Sequence, residues 1–171
     1  MRLALERHGA ESGADTVEAL VARKTALFDA LLATVPLYPG ARELVEGLSA
    51  EVPVGIASGA QRPEIERILD GAGLRARFST IVGAGDVARG KPSPDPYLAA
   101  MAGLRGHAKD LAPAECVVIE DTMAGIASGL AAGMKVVGVA QTYPAAKLQA
   151  AHLVVGTVAD LDAARLRRLF A

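Results

Sequence analysis

The sequence has 171 residues, of which 51% are hydrophobic and 22% are charged, so it is long enough to bury the core of one ordinary domain. Its formal net charge is −1 and it has no run of about five or more like charges, so nothing favours nucleic acid or an anionic membrane as a partner. No apolar stretch approaches the roughly 18 residues needed to cross a bilayer, and the start of the chain does not resemble a signal peptide. Because the only cysteine, Cys116, cannot form an internal disulfide, we expect a cytoplasmic protein.

The first predicted elements are helices. Apolar residues at helical spacing predict a helix over residues 16–33, and a second over 41–48, after the turn at Tyr38-Pro39-Gly40. From residue 52 onward, helical segments such as 63–71 and 96–103 alternate with short β-branched runs, which predict strands at 52–57, 80–82, 116–119, 136–139 and 153–155. This alternation implies an α/β fold with a parallel sheet covered by helices on both faces. In such sheets ligands bind at the carboxyl ends of the strands.

The first candidate site follows the first predicted strand. Ser58-Gly59-Ala60 combines a hydroxyl with bare backbone N–H groups, near a helix expected to begin at about Pro63. Such a loop suits an anion. A simpler role for Ser58, in a turn or as a helix cap, remains open on these residues alone.

A lysine on a stiff loop is the second candidate. Lys91 lies in the run 90–97, which also contains three prolines. Proline restricts the backbone before it, and we expect Asp95 to cap a helix whose first residue is Pro96. Most lysines are solvated surface residues, but an ammonium group on a rigid loop can hold and neutralise a phosphoryl group.

An acidic pair provides the third candidate. The predicted strand 116–119 runs directly into Glu120-Asp121, and two adjacent carboxylates at a strand end repel each other unless a cation lies between them. Mg²⁺ suits this position because it uses few protein carboxylates and fills its octahedron with waters and substrate oxygens. Alternatively, Asp121 or Thr122 only caps the helix predicted over 124–132.

In this order and at these separations, the three loops strongly resemble the motifs of the haloacid dehalogenase-like (HAD) hydrolase superfamily. The similarity is to its branch of helical-cap phosphatases and β-phosphoglucomutase-like enzymes, and it covers residues 16–159. Ser58 matches the second motif of that family, Lys91 the third, and Glu120 with Asp121 the fourth.

The resemblance implies a Rossmann-like core and a role for each matched residue. In the family the second motif binds the transferring phosphoryl group, the lysine neutralises it and orients the nucleophile, and the acidic pair holds Mg²⁺. The implied site is therefore Ser58, Gly59, Ala60 and Lys91 for phosphate, with Lys91 and Ser58 catalytic, and Glu120 and Asp121 for the metal. The expected substrate is a small phosphorylated metabolite, in particular a sugar phosphate.

The sequence departs from the family at its first motif. Family members begin with a strand ending in Asp-x-Asp-Gly, whose first aspartate attacks phosphorus and whose second is the general acid and base. No Asp-x-Asp-Gly occurs in this sequence. The most similar segment, Phe28-Asp29-Ala30-Leu31, lacks the second acid and the glycine. We therefore expect this 171-residue chain to be inactive.

The missing motif also affects the expected architecture. In the family its strand is central, so the sheet should have a gap between the strand that ends at Ser58 and the strand that ends at Glu120. We expect residues 1–36 to be the C-terminal remnant of a helical cap and 37–171 to be the core without its first strand. Met1 would then be an internal start, or the chain a fragment.

Three alternatives remain. A phosphosugar mutase would use the same chemistry with a sugar hydroxyl as the acceptor. A non-catalytic protein would bind phosphate or metal, or pair another chain with its exposed strand edges. Residues 83–88, Gly-Ala-Gly-Asp-Val-Ala, also fit a loose dinucleotide-binding pattern, but that pattern requires a helix to begin at once and the prolines that follow disfavour one.

Overall fold

The computed structural model describes residues 19, 20, 23 and 35–171. Almost all of the helix predicted over 16–33 and of the cap remnant predicted over 1–36 lies outside the described residues. None of the helices in the described part of the chain is both long and apolar enough to span a membrane.

Strands and helices alternate through residues 35–171, as the sequence predicts. The α-helices are α1 (Ala41–Ser49), α2 (Arg62–Gly71), α3 (Asp95–Leu104), α4 (Met123–Ala131) and α5 (Ala163–Arg167). The strands are β1 (Gly55–Ala57), β2 (Thr80–Val82), β3 (Val117–Glu120), β4 (Lys135–Val139) and β5 (Leu153–Val155), and short 3₁₀ turns lie in several of the connections.

The strands form two separate parallel sheets. In the first sheet β1 pairs with β2, and Ile56 lies opposite Ile81. In the second the order is β3-β4-β5, and Glu120 lies opposite Gly138. Among the described residues no strand joins β1 to β3, which is the position of the central strand that the sequence predicts to be missing. The predicted α/β class and parallel pairing are confirmed.

Helices cover both faces of the larger sheet. Successive residues of a strand point to opposite faces, and the neighbours Val136 and Val137 of β4 are both fully buried, at 0% exposure. Val136 belongs to a cluster with side chains of α3 and α4, whereas Val137 packs in a cluster with Leu44 of α1 and Leu166 of α5. The β-branched runs of the sequence are therefore buried on both sides.

Helix α3 connects the two sheets. It contacts β1, β2 and α4, and a Cβ at its Gly103 would overlap Thr80 of β2. On the other side, Tyr97 and Met101 of α3 belong to one buried cluster with Val118 of β3, and Ala57 of β1 packs against that cluster. The position of α3 therefore sets how the ends of β1 and β3 are presented.

One backbone group of β4 depends on a side chain for its hydrogen bond. The N–H of the fully buried Val136 donates to Nδ1 of His152 at 3.1 Å, and the N–H of His152 donates to the Val136 carbonyl oxygen at 2.9 Å. The His152 imidazole thus takes the place of a backbone carbonyl beside β4.

We predict that His152→Leu lowers the free energy of unfolding by about 1–3 kcal/mol, because it leaves a buried N–H without an acceptor. His152→Asn should recover most of this loss, since its side-chain oxygen can accept. Urea unfolding of the two variants beside the parent measures both. Equal stability of His152→Leu and the parent would contradict this account.

Candidate functional site

The sequence-predicted site residues lie at the carboxyl ends of β1 and β3, except Lys91, which lies in the loop before α3. Ser58 directly follows β1, and its N–H continues the pairing by donating to the Val82 carbonyl at 2.9 Å. Glu120 is the last residue of β3, and Asp121 follows it. These strands belong to different sheets, and Ala57, the residue before Ser58, packs against the core cluster that contains Tyr97.

The Ser58 loop is partly closed by its own hydrogen bonds. The Ala60 N–H donates to Oγ of Ser58 at 3.1 Å, which leaves the Ser58 O–H and the Gly59 N–H as donors without a described partner. A Cβ at Gly59 would meet no atom within 4 Å, so the space beside this glycine is open. The N-cap of α2 is Gln61, so Ser58 is a turn residue and not the helix cap.

A network of polar contacts fixes the loop that carries Lys91. Arg89 donates to both carboxylate oxygens of Asp95, at 3.0 Å each. Ser93 donates its hydroxyl to the same carboxylate at 2.8 Å. The fully buried Ser128 of α4 donates to the Ser93 carbonyl at 2.5 Å. The loop is therefore anchored to its own helix and to α4.

The prediction that Asp95 caps a helix beginning at Pro96 is wrong. Helix α3 begins at Asp95 itself, its N-cap is Pro94, and no side chain caps it. The Asp95 carboxylate instead accepts from Arg89 and Ser93, since a guanidinium offers a charged, two-pronged donor that a backbone N–H cannot match.

Lys91 contacts Glu120, whose carboxylate collects five donors. Its Oε1 accepts from Nζ of Lys91 and from the Tyr97 hydroxyl at 2.9 Å. Its Oε2 accepts from the N–H groups of Asp121 and Thr122, at 3.0 Å each, and from the Thr122 hydroxyl at 2.9 Å. Nζ of Lys91 also lies 4.8 Å from the centre of the Tyr97 ring. Glu120 is 8% exposed, so this carboxylate faces into the protein.

The electrostatics agree with these contacts. Burial alone would raise the pKa of Glu120, but the hydrogen bond and charge of Lys91, with the Thr122 N–H and the Tyr97 hydroxyl, hold that pKa below its usual range. Burial and the negative charge of Glu120 raise the pKa of the Tyr97 hydroxyl. Glu120 is therefore an anion and Tyr97 a neutral donor at physiological pH.

Asp121 differs from its neighbour. Oδ2 of Asp121 accepts from the hydroxyl of Thr142, and no described residue donates to Oδ1. A carboxylate offers about four lone-pair positions, which the five donors of Glu120 already fill. The free oxygen of Asp121 thus fits Mg²⁺ as a ligand, because this ion takes few protein carboxylates. That Glu120 also binds the metal stays a prediction. No group of three or more His, Cys, Asp or Glu residues lies together in the described parts of the chain.

Sequence reasoning missed three residues of this site: Tyr97, Thr122 as a donor to Glu120, and Thr142. Thr142 follows the carboxyl end of β4, a position that the rule for parallel sheets could have identified. Tyr97 lies in the first turn of α3, and only the packing of that helix against β3 brings its hydroxyl to Glu120. Thr122 was considered only as a cap, and it does cap α4, accepting from the Gly125 N–H at 3.0 Å.

The dinucleotide alternative does not fit the loop after β2. A 3₁₀ turn, Ala84–Asp86, follows Gly83, and the next α-helix begins only at Asp95. Asp86 accepts from the Gly83 N–H at 2.7 Å and from Arg62 at 2.9 Å. The glycines therefore form a closed turn instead of the start of a helix.

The inward position of Glu120 requires a glycine in α4. A Cβ at Gly125 would overlap the Glu120 carboxylate, whereas a Cβ at Gly47 in α1 would meet nothing within 4 Å. We predict that Gly125→Ala lowers the free energy of unfolding by about 1–3 kcal/mol, because the carboxylate must leave its donors. The matched change Gly47→Ala should raise it by about 0.5–1 kcal/mol. Chemical unfolding of both variants tests this, and similar gains in both would contradict the inward carboxylate.

Asp95, in the Lys91 loop, should make the free energy of unfolding depend on pH in the acid range. Hydrogen bonds from Arg89 and Ser93 hold the pKa of Asp95 below its usual range. This stabilisation is fully present above the unfolded pKa of about 4. It is lost as the pH falls through the lower folded pKa. We predict a shallower loss of stability between about pH 4 and pH 2 in Asp95→Asn than in the parent, measured by urea midpoints. Asp70→Asn is the control, and a parallel decline in Asp95→Asn and the parent would contradict the prediction.

Comparison with known proteins supports one family. A relative, the β-phosphoglucomutase of Bacillus subtilis (strain 168), is 39% identical over 127 residues, which are 73% of this chain and 51% of that protein. The bifunctional riboflavin kinase/FMN phosphatase of Arabidopsis thaliana is 44% identical over 115 residues, 66% of this chain and 29% of that protein. This chain therefore spans about half, or less, of the length of these curated relatives.

A solved structure shares the fold. The crystal structure of CbbY from Rhodobacter sphaeroides in complex with phosphate superposes with a TM-score of 0.75 at 27% identity, over 87% of this chain and 68% of that one. The family model described as haloacid dehalogenase-like hydrolase matches residues 2–133. With the strand-end site and the parallel α/β core, these matches show that the chain belongs to the haloacid dehalogenase-like hydrolase family.

Proposed function

We propose that this protein provides the phosphate and metal half of a Mg²⁺-dependent phosphatase that hydrolyses a small phosphorylated metabolite, in particular a sugar phosphate. The observation that carries the proposal is the Lys91 ammonium paired with Glu120 beside Asp121 at the end of β3. A fixed cation next to a carboxylate with an open oxygen suits a phosphoryl group accompanied by a divalent ion.

Each residue contributes a separate interaction in this proposal. The Ser58 hydroxyl and the N–H groups of Gly59 and Ala60 bind phosphoryl oxygens, although Ala60 must first release Oγ of Ser58. Lys91 neutralises the phosphoryl charge from its place beside Glu120. The buried carboxylate of Glu120 holds the ammonium there. Asp121 holds Mg²⁺ through the oxygen that Thr142 does not use. When bound, the ion supplies positive charge to the phosphoryl oxygens.

The names of the relatives support a phosphorylated substrate. They describe an FMN phosphatase activity, a phosphoglucomutase and a protein crystallised with phosphate. Because the chain spans only part of the length of its curated relatives, the activity and substrate of a whole protein are part of the proposal.

Two other functions have a specific observation in their favour. The 39% identity to a phosphoglucomutase favours a phosphosugar mutase. The absence of Asp-x-Asp-Gly from the sequence, together with the two separate sheets of the described residues, favours a non-catalytic phosphate-binding or interaction protein. We expect this chain alone to bind without turnover, and Mg²⁺-dependent release of phosphate from p-nitrophenyl phosphate would exclude the non-catalytic function.

The direct test is a pair of calorimetric titrations of the chain, with inorganic phosphate and with Mg²⁺. We predict that Lys91→Ala weakens phosphate binding at least about tenfold, since a hydrogen bond to a charged group contributes about 1.5–3 kcal/mol. Asp121→Asn should weaken Mg²⁺ binding by a similar factor, while its amide oxygen still accepts from Thr142.

Lys147→Ala and Asp70→Ala are the matched controls, because both residues are exposed and no described hydrogen bond or ion pair links either side chain to Ser58, Lys91 or Asp121. Since Lys91→Ala leaves Glu120 without its cation, Ser58→Ala provides a second phosphate variant that does not touch this pair. Unchanged phosphate affinity in both Lys91→Ala and Ser58→Ala would refute the phosphate site, and unchanged Mg²⁺ affinity in Asp121→Asn would refute the metal site.

A further inference from the structure

Tyr97 is a buried polar residue that the proposed function leaves without a role. It lies in the first turn of α3 and is 9% exposed. Its hydroxyl donates to Oε1 of Glu120 at 2.9 Å, and its ring centre lies 4.8 Å from Nζ of Lys91. Its hydroxyl and its ring therefore contact the two members of one ion pair.

The contacts of Glu120 divide into two sets. The three donors to Oε2 come from Asp121 and Thr122, the residues that follow Glu120 in the chain. These hydrogen bonds are local to the turn that ends β3. The two donors to Oε1, Lys91 and Tyr97, come from outside that turn. Of these two, Lys91 carries its ammonium on a flexible four-carbon stem, whereas the Tyr97 hydroxyl is fixed on a buried ring. The less flexible donor to Oε1 is therefore the Tyr97 hydroxyl.

We propose that Tyr97 is a positioning residue: its hydroxyl holds the Glu120 carboxylate turned toward Lys91, so that the ammonium stays at the strand ends and Asp121 is left to bind the cation. This proposal rests on the proposed function for the roles of Lys91 and Asp121. Tyr97 itself touches neither phosphate nor metal and acts through Glu120.

Removing the hydroxyl of Tyr97 distinguishes the positioning role from simple packing. Tyr97→Phe keeps the ring that packs with Met101, Val118 and Ile126, keeps the aromatic face beside Lys91, and removes only the hydroxyl. Tyr143→Phe is the matched control, because the Tyr143 ring lies 6.0 Å from Nζ of Lys147 and no described residue pairs with its hydroxyl. The described residues thus offer two tyrosine–lysine pairs, one with a carboxylate as third partner and one without it.

The test is proton-exchange NMR of ¹⁵N-labelled lysine ammonium groups in the whole chain. In the parent, the Lys91 signal should exchange with water about tenfold more slowly than the Lys147 signal, because an ion-paired and partly buried ammonium is shielded from water. Tyr97→Phe should speed exchange at Lys91 by about threefold or more as the carboxylate gains freedom. Tyr143→Phe should leave Lys91 unchanged.

Titrations of the same samples provide the second measurement. Tyr97→Phe should weaken binding of inorganic phosphate about fivefold, while Mg²⁺ affinity stays within about twofold of the parent, because Asp121 keeps its Thr142 contact. A variant that only loosened the core would weaken both ligands together.

The ammonium signal decides the inference, and the parent titrations decide the proposed function. Unchanged Lys91 exchange in Tyr97→Phe overturns the positioning role even if both ligands bind. Failure of the parent to bind either ligand overturns the proposed function and not the side-chain result. If Tyr97→Phe does not fold, the parent still decides the inference, since equal exchange rates at Lys91 and Lys147 would overturn it.

Discussion

The buried carboxylate of Glu120 is the constraint on which the rest of the site depends. Removing a charged carboxylate from water costs several kcal/mol unless a counter-charge and hydrogen bonds replace the solvent. Here the loop before α3 supplies Lys91, α3 supplies Tyr97, and the turn after β3 supplies the remaining donors. Loss of any of these donors would leave part of the desolvation free energy of the Glu120 carboxylate uncompensated. The three segments must therefore keep one arrangement. The ammonium of Lys91 is fixed as a consequence.

The surrounding packing protects this arrangement. Gly125 leaves room for the carboxylate above the first turn of α4, and Ser128 in the same helix binds the Lys91 loop through the Ser93 carbonyl. Helix α3 carries Tyr97 and also packs against β1 and β2, so the helix that positions Glu120 also supports the strand that Ser58 follows. The two halves of the site lie on separate sheets, and α3 links them.

The backbone could be predicted from the sequence more fully than the polar contacts. Strands 80–82 and 153–155 were predicted to the residue, because each is a short apolar run rich in β-branched residues that ends at a glycine, Gly83 or Gly156. The predicted strand 116–119 is displaced by one residue, since Glu120 still pairs with Gly138. Strand ends also revealed Ser58, Glu120 and Asp121 as candidates. Which carboxylate turns inward could not be predicted, because it depends on a hydroxyl from α3 that approaches only after the helix packs.

A crystal structure of this chain grown with Mg²⁺ and inorganic phosphate tests the central claim most directly. The account predicts phosphate in contact with Lys91 and Ser58, the ion on Asp121, and Glu120 still accepting from Lys91 and Tyr97. Phosphate bound away from Lys91, the ion bound away from Asp121, or Lys91 released from Glu120 in the loaded site would contradict the account.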